Sequence, residues 1–297
     1  MRELVVIGMG HIGGSIAAGA RLRGIAQRVV GVERDPEHRM QARDARLADV
    51  VTEDFASACA KADLVVVAVP PSSTASVALE ALAAAPRAVV TDVAGLKAAI
   101  VAQVSREGGA GAKRFVGGHP MAGTAGSGPK ASRPELFEGR RVVVTPVDST
   151  DPAALAVVEG MWRGLGATPV RETPEAHDRA VTAVSHLPHA IAWSLSLAAA
   201  ELLAPNGDLA AGAERAAAFA GPSFEGATRV AASDPALWRE LLVENGAGIT
   251  EAIAVLRARL EDLSQAIERE RGAAGTPLLD LLRQAQALAS APKRGES

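Results

Sequence analysis

The sequence predicts an α/β domain built on a doubly wound parallel sheet, followed by an all-helical domain. Three observations carry this. Short apolar runs alternate with helix-patterned stretches from the first residues to about Glu172, as parallel sheets with crossover helices require. Beyond Glu172 the strand signals stop and the rest reads as helix. A glycine-rich turn, Gly8-Met9-Gly10-His11-Ile12-Gly13, directly follows the first apolar run and opens the first helix.

Leu4-Val5-Val6-Ile7 is apolar on both faces, the mark of a buried parallel strand, and a helix is expected from about His11 to Arg23. Val29 to Val32 forms the second strand, and a charged helix starts near Pro36. Leu64 to Val69 is the clearest strand, stopped by Pro70-Pro71. The helix Thr74 to Ala84 leads to a strand at Ala88 to Thr91, and the helix Leu96 to Arg106 leads to one at Arg114 to Val116. Val142 to Thr145 is a later strand, and the helix Pro152 to Leu165 leads to Thr168-Pro169-Val170. Helices are then expected over about Pro174 to Leu203, Leu209 to Ala218, Pro235 to Arg271 and Thr276 to Ala289. This divides the chain into domains 1–172 and 173–297. Ile249, Ile253, Leu256, Leu260, Leu263 and Ile267 form an apolar stripe on the longest helix. It reads either as core within the chain or as an interface. Too little sequence is left here to cover several such helices, so a homodimer through the helical domain is expected. The polar tail Pro292 to Ser297 is expected to be disordered.

Composition excludes several classes of function. The chain has 297 residues, 48% of them hydrophobic and 22% charged, enough for two globular domains. A formal net charge of -3 argues against nucleic acid as the main partner. The single cysteine, Cys59, excludes a disulfide framework and a multi-cysteine metal site within one chain; a small packed residue in a reducing cytoplasm is expected. No apolar run reaches membrane-spanning length, and no signal-peptide layout opens the sequence.

The glycines of the Gly8–Gly13 turn permit close backbone approach to a pyrophosphate, and the helix start supplies N–H groups and partial positive charge. Glu33, 20 residues after Gly13, ends the second strand where a carboxylate can accept hydrogen bonds from the adenosine ribose and repel a 2′-phosphate. The expectation is a Rossmann-type dinucleotide-binding domain that takes NAD rather than NADP. Arg34 is a complication, because its guanidinium can stack on adenine or meet a 2′-phosphate. Ile12 and His11 belong to the turn, His11 as a solvent-facing loop residue rather than a catalyst. Val69 and Asp92 stand at the ends of later strands, Val69 on the cofactor side and Asp92 in a structural or cofactor-side role.

Three of the six histidines sit in two short segments, Gly117-Gly118-His119-Pro120-Met121-Ala122-Gly123-Thr124 and Ser185-His186-Leu187-Pro188-His189. Histidine exchanges protons near neutral pH, so these segments are candidates for the chemistry; singly, each also reads as a Gly/Pro turn or as helix histidines. Together with Thr91-Asp92-Val93, Ser127-Gly128, His177-Asp178, Thr228-Arg229-Val230-Ala231 and Asp234-Pro235 with Trp238, they resemble the prephenate dehydrogenase family, in the right order over about residues 1–290. The resemblance implies oxidation and decarboxylation of prephenate, or of its amino counterpart arogenate, with hydride transfer to NAD in tyrosine biosynthesis. It casts His119 as the acceptor of the ring-hydroxyl proton, and His189 and Arg229 as holders of the substrate, although Arg229 also reads as a surface or domain-interface ion pair. His186 would orient the helix or a neighbour. Trp238 walls the ring pocket or packs in the core, and Thr124 or Ser127 offers a further hydrogen bond. His177-Asp178 reads as the cap or start of a helix. One departure stands out: the family commonly carries a D-x-G-S-x-K segment, whereas this chain reads Asp92-Val93-Ala94-Gly95-Leu96-Lys97, with glycine in place of the serine. Prephenate, arogenate and 4-amino-4-deoxyprephenate therefore all stay open as substrates. Two rivals are weaker. A 3-hydroxyacid dehydrogenase would place a lysine base on a helix of the second domain, yet residues 174–270 contain no lysine. A non-catalytic dinucleotide-binding regulator would have no need of His119, His189 and Arg229.

Overall fold

The computed structural model describes residues 1–122, 126–272 and 276–290; Thr124 and the Pro292–Ser297 tail lie outside the described residues. The chain divides into two compact units, Met1–Asn245 and Gly246–Ser297. The first holds a sheet of eight strands: β1 Glu3–Ile7, β2 Arg28–Val32, β3 Val50–Thr52, β4 Leu64–Val67, β5 Val89–Asp92, β6 Phe115–Pro120, β7 Arg141–Thr145 and β8 Thr168–Arg171. Their order is β3-β2-β1-β4-β5-β6-β7-β8. The helices among them are α1 His11–Leu22, α2 Pro36–Asp44, α3 Phe55–Cys59, α4 Pro71–Ala84, α5 Ala98–Glu107 and α6 Pro152–Gly164.

The sheet is not wholly parallel, which corrects the expectation. β7 runs antiparallel to β6, pairing His119 with Val143. A parallel return needs a crossover of a dozen or more residues, usually a helix. Among the described residues between β6 and β7 the only regular segment is the short helical turn Pro129–Ala131. β3, three residues long, is too short to show a period in the sequence and was not anticipated.

Period-two alternation gives the sheet two apolar faces. Leu4 and Val6 join Ile16, Val116, Phe137 and Trp162 on one side, while Val5 and Ile7 join Val65, Leu82, Val101 and Phe115 on the other. The strand ends, where the first turn and His119 lie, therefore rest on rigid packing.

The remaining helices of the first unit are α7 Pro174–Val181, α8 Leu187–Leu203, α9 Leu209–Phe219, α10 Pro222–Thr228 and α11 Pro235–Glu244. Several start with a capping side chain followed by proline: Asp35, Asp151, Thr173 and Asp234 each accept a backbone N–H two or three residues on. The expected single helix Pro174 to Leu203 is interrupted by a π turn over Thr182–His186, in which the Leu187 N–H reaches back to the Thr182 carbonyl. Pro188 lacks the N–H a regular helix would use there, which favours the wider turn. The second unit contains α12 Gly246–Gly272 and α13 Pro277–Ala289. The expected helix Pro235 to Arg271 is broken at Asn245, whose backbone (φ -92°, ψ 21°) has left the helical basin. No helix among the described residues is long and apolar enough to cross a membrane.

Candidate active site

At the cofactor end, β1 runs into the glycine turn. Gly8 has φ +90°, and a Cβ there would lie 2.3 Å from the Ala68 carbonyl oxygen. A Cβ at Gly13 would fall 1.9 Å from the Gly8 oxygen. At Gly10 a Cβ would meet nothing within 4 Å, and no side chain caps α1. Open space thus lies against uncapped helix N–H groups, the arrangement a pyrophosphate needs. The residues present fit a dinucleotide. Glu33 is fastened beside the turn: its Oε2 accepts the Met9 N–H at 2.8 Å and its Oε1 the Asp35 N–H at 3.0 Å. Arg34 is exposed, and Arg39 is turned onto the carbonyls of Glu33 and Arg34 and the carboxylate of Glu53. His11 opens α1, half-buried rather than solvent-facing, with Ile12 packed against the core beside it. Val69 borders Gly8.

Of the two readings open for Asp92, structural or cofactor-side, its contacts favour the structural one. It is fully buried, with Oδ2 taking the Ala94 N–H and the Lys97 ammonium, and Oδ1 taking the Gly118 N–H. A carboxylate so occupied anchors the 92–97 loop to β6.

Four histidines gather next to it. His119 Nδ1 lies 2.9 Å from His177 Nε2, and His177 Nδ1 lies 2.7 Å from Asp178 Oδ1. Asp178, on α7, also accepts the Lys97 and Ala98 N–H groups at 2.8 Å, so it caps α5 from a distant part of the chain. Burial opposes its ionisation, but hydrogen bonds from His177, Ala98 and Lys97 prevail and hold its carboxyl below the usual range. The position of a Cβ at Gly95 is 3.9 Å from His119 Nε2, so that nitrogen faces the residue without a side chain. Burial, reinforced by His177, Lys97 and His186, pushes the His119 pKa down to about 3. The ring is therefore neutral at physiological pH, as a proton acceptor must be.

His186 is buried and bonded through Nδ1 to the Asn245 amide at 2.8 Å. That amide also donates to Thr182 Oγ1 at 2.7 Å, and the Thr182 hydroxyl donates to the Asp178 carbonyl. Because the hydroxyl proton is already used, Asn245 presents its NH₂ to both partners. His186 Nδ1 is then the acceptor and Nε2 carries the hydrogen. Burial, then the neighbouring His189, lowers its pKa to about 4. His189 Nδ1 meets the Ser185 carbonyl at 2.9 Å, and its ring stacks on Trp238 with centroids 3.7 Å apart. Trp238 is 9% exposed and is flanked by Trp193. Arg229 lies apart from the cluster's hydrogen bonds, exposed on the turn Arg229–Ala232, with no ion-pair partner among the described residues.

With that geometry in view, comparison with known proteins is decisive. Residues 16–171 match the prephenate dehydrogenase nucleotide-binding domain and residues 173–284 the prephenate dehydrogenase dimerization domain. The chain belongs to the prephenate dehydrogenase family. It is similar to prephenate dehydrogenase of Bacillus subtilis (strain 168), 30% identical over 91% of this chain and 71% of that one. Among solved structures it resembles prephenate dehydrogenase from A. aeolicus in complex with hydroxyphenyl propionate and NAD+, with TM-score 0.85, 31% identity and 97% of each chain covered. It also resembles Synechocystis arogenate dehydrogenase, with TM-score 0.81, 29% identity, 97% of this chain and 98% of that one.

Within this family of oxidoreductases, the chain's own network includes residues whose part in it the sequence did not show. His177 and Asp178 read as a helix start, yet they join the hydrogen-bond chain on His119. A His-Asp pair on the inward face of a helix was the available signal. Lys97, wholly buried on Asp92, gave none beyond its place in the 92–97 segment. Asn245-Gly246 inside an apparently continuous helix was a breaker signal that points to Asn245.

Proposed function

We propose that this chain converts prephenate to 4-hydroxyphenylpyruvate with NAD as hydride acceptor, in tyrosine biosynthesis. The observation that carries the reading is His119: a neutral imidazole whose Nε2 faces the open position at Gly95. His119 is the catalytic residue that takes the ring-hydroxyl proton. His186, with its hydrogen on Nε2, and His189, braced on Trp238, belong to the substrate side. Arg229, exposed and uncommitted, holds a substrate carboxylate through its planar fork. Bound at the glycine turn, NAD supplies the two-electron acceptor for the ring hydrogen. Gly8, Gly10, His11, Ile12 and Gly13 cradle its pyrophosphate, Val69 lies alongside, and Glu33 bonds the adenosine ribose and disfavours a 2′-phosphate. Arg34 is left to the adenine side.

A second reading is arogenate oxidation, favoured by Gly95, where no hydroxyl meets the ring oxygen, and by likeness to a protein named arogenate dehydrogenase. The test is spectrophotometric: NADH formation from prephenate and from arogenate, with NAD and then NADP. The largest kcat/KM with prephenate and NAD is expected; a larger value with arogenate selects the second reading, and no turnover of either defeats both.

The assembly is a homodimer through the helical domain. In α12, Ile253, Leu260 and Ile267 are more than a third exposed, and α8 and α9 expose Leu197, Leu202 and Phe219. Light scattering at low micromolar protein is expected to return twice the chain mass; a monomer contradicts it. Buried Cys59, its thiol pushed up to about 11 by burial, suits a reducing cytoplasm.

A further inference from the structure

The chain His119–His177–Asp178 has a direction that its hydrogen-bond partners impose. Asp178 is a carboxylate surrounded by donors: the Lys97 and Ala98 N–H groups and His177 Nδ1. It can only accept, so His177 carries its hydrogen on Nδ1. In a neutral His177 ring the Nε2 lone pair is then free, and it lies 2.9 Å from His119 Nδ1. His119 must therefore donate through Nδ1, which leaves its Nε2 bare toward Gly95. His177 is only 2% exposed, so no bulk water competes for the link. The charged and titratable groups around it are Asp178, His119, Lys97 and His186.

We infer that His177, oriented by Asp178, is a positioning residue for the reaction: it holds His119 in the tautomer with a bare Nε2 and takes up the Nδ1 proton while His119 holds the proton of the substrate hydroxyl. This rests on the reading of His119 as acceptor. The exchange balances. The hydroxyl proton passes to His119 Nε2 as the Nδ1 proton of His119 passes to His177 Nε2. The positive charge then sits on His177 against the Asp178 carboxylate, away from the reacting ring. The ring hydrogen leaves as hydride to NAD. The bond to the ring carboxylate breaks, carbon dioxide departs, and its electron pair enters the ring, which becomes a phenolate. Both protons return along the same path, giving the phenol and the starting tautomers.

The decisive measurement is the ¹⁵N spectrum of the histidine rings in the wild-type protein at neutral pH, with the His119 signals assigned by their loss in His119→Asn. Protonated Nδ1 and bare Nε2 on His119 are expected; a proton on Nε2 overturns the inference. This readout needs no turnover, so it stands even where the substrate reading fails. The second arm is His177→Gln, its folding checked by circular dichroism. Gln cannot take up a proton, so kcat should fall about ten- to a hundredfold while KM and NAD binding change less than about twofold. Combined with His119→Asn it should add little further loss, because the two act in one chain. A folded His177→Gln enzyme with wild-type kcat, or with only KM altered, overturns the positioning role.

Discussion

The glycine turn and the histidine cluster are both sites built on strand ends, but they are assembled in opposite ways. The turn is local: Gly8, Gly10, Gly13 and Glu33 lie within a single β1–α1–β2 unit, and the Glu33 carboxylate closes on the Met9 N–H. The cluster is distributed: His119 comes from β6, His177 and Asp178 from α7, His186 from a π turn and Asn245 from the end of α11. Each of its members depends on a hydrogen bond from another element. The turn should therefore tolerate changes in the cluster, and the cluster should respond to small shifts anywhere along its chain of contacts.

The sharpest test of that independence is His119→Asn. Loss of the proton acceptor should lower kcat by roughly 10²–10⁴ with NAD affinity unchanged. Steady-state kinetics with a direct NAD titration will show it, and wild-type turnover would remove His119 from the chemistry. The converse change is Gly13→Ala. With only 1.9 Å between the new Cβ and the Gly8 oxygen, the turn must distort, and NAD binding should be lost or weakened by ~1–3 kcal/mol or more. Calorimetric NAD affinity close to wild type would show that the turn is not the cofactor cradle.

Protonation offers a test confined to the cluster. His119 and His186 are held neutral down to about 3 and about 4, whereas the same rings in the unfolded chain take up protons below 6.5. The unfolded state binds more protons in that window. These groups therefore stabilise the fold fully above about pH 6.5 and progressively less as the pH falls toward 4 and 3. Urea unfolding across this range should show the decline, and His119→Asn should reduce its slope.

A smaller effect is expected from Glu33→Ser. It removes a ribose acceptor and a repulsive charge, so the preference for NAD over NADP should narrow while kcat with NAD is kept. A wild type that prefers NADP would transfer the role to Arg34. The smallest change is Gly95→Ser. Gly95 is not among the glycines with positive φ, and a Cβ there meets Leu241 Cδ2 at 3.5 Å, an ordinary contact. The new hydroxyl lies on the Nε2 side of His119, so kcat/KM for prephenate should stay level or rise by no more than ~0.5–1.5 kcal/mol. A water bridging that space in the native enzyme would account for a null result. A folded variant that loses more than about tenfold would show that the glycine itself is required by the bound substrate.

What the sequence determined by itself was whatever depends on near neighbours. The continuous apolar strand runs, the Asp-Pro and Thr-Pro helix starts and the Gly8–Gly13 turn with Glu33 are all set within a few tens of residues, and each was legible. His119 was legible too, through the motif around it. The antiparallel return of β7, the commitment of Asp92 to Lys97 and the joining of His177 and Asp178 to His119 were decided only by the tertiary structure. Apart from the five-residue step from Asp92 to Lys97, those contacts span 22 to 81 residues, as between Pro120 and Val142 or Lys97 and Asp178. A carboxylate or an imidazole acquires its role from whichever donors the fold brings within 3 Å of it, and no local pattern encodes which ones those are.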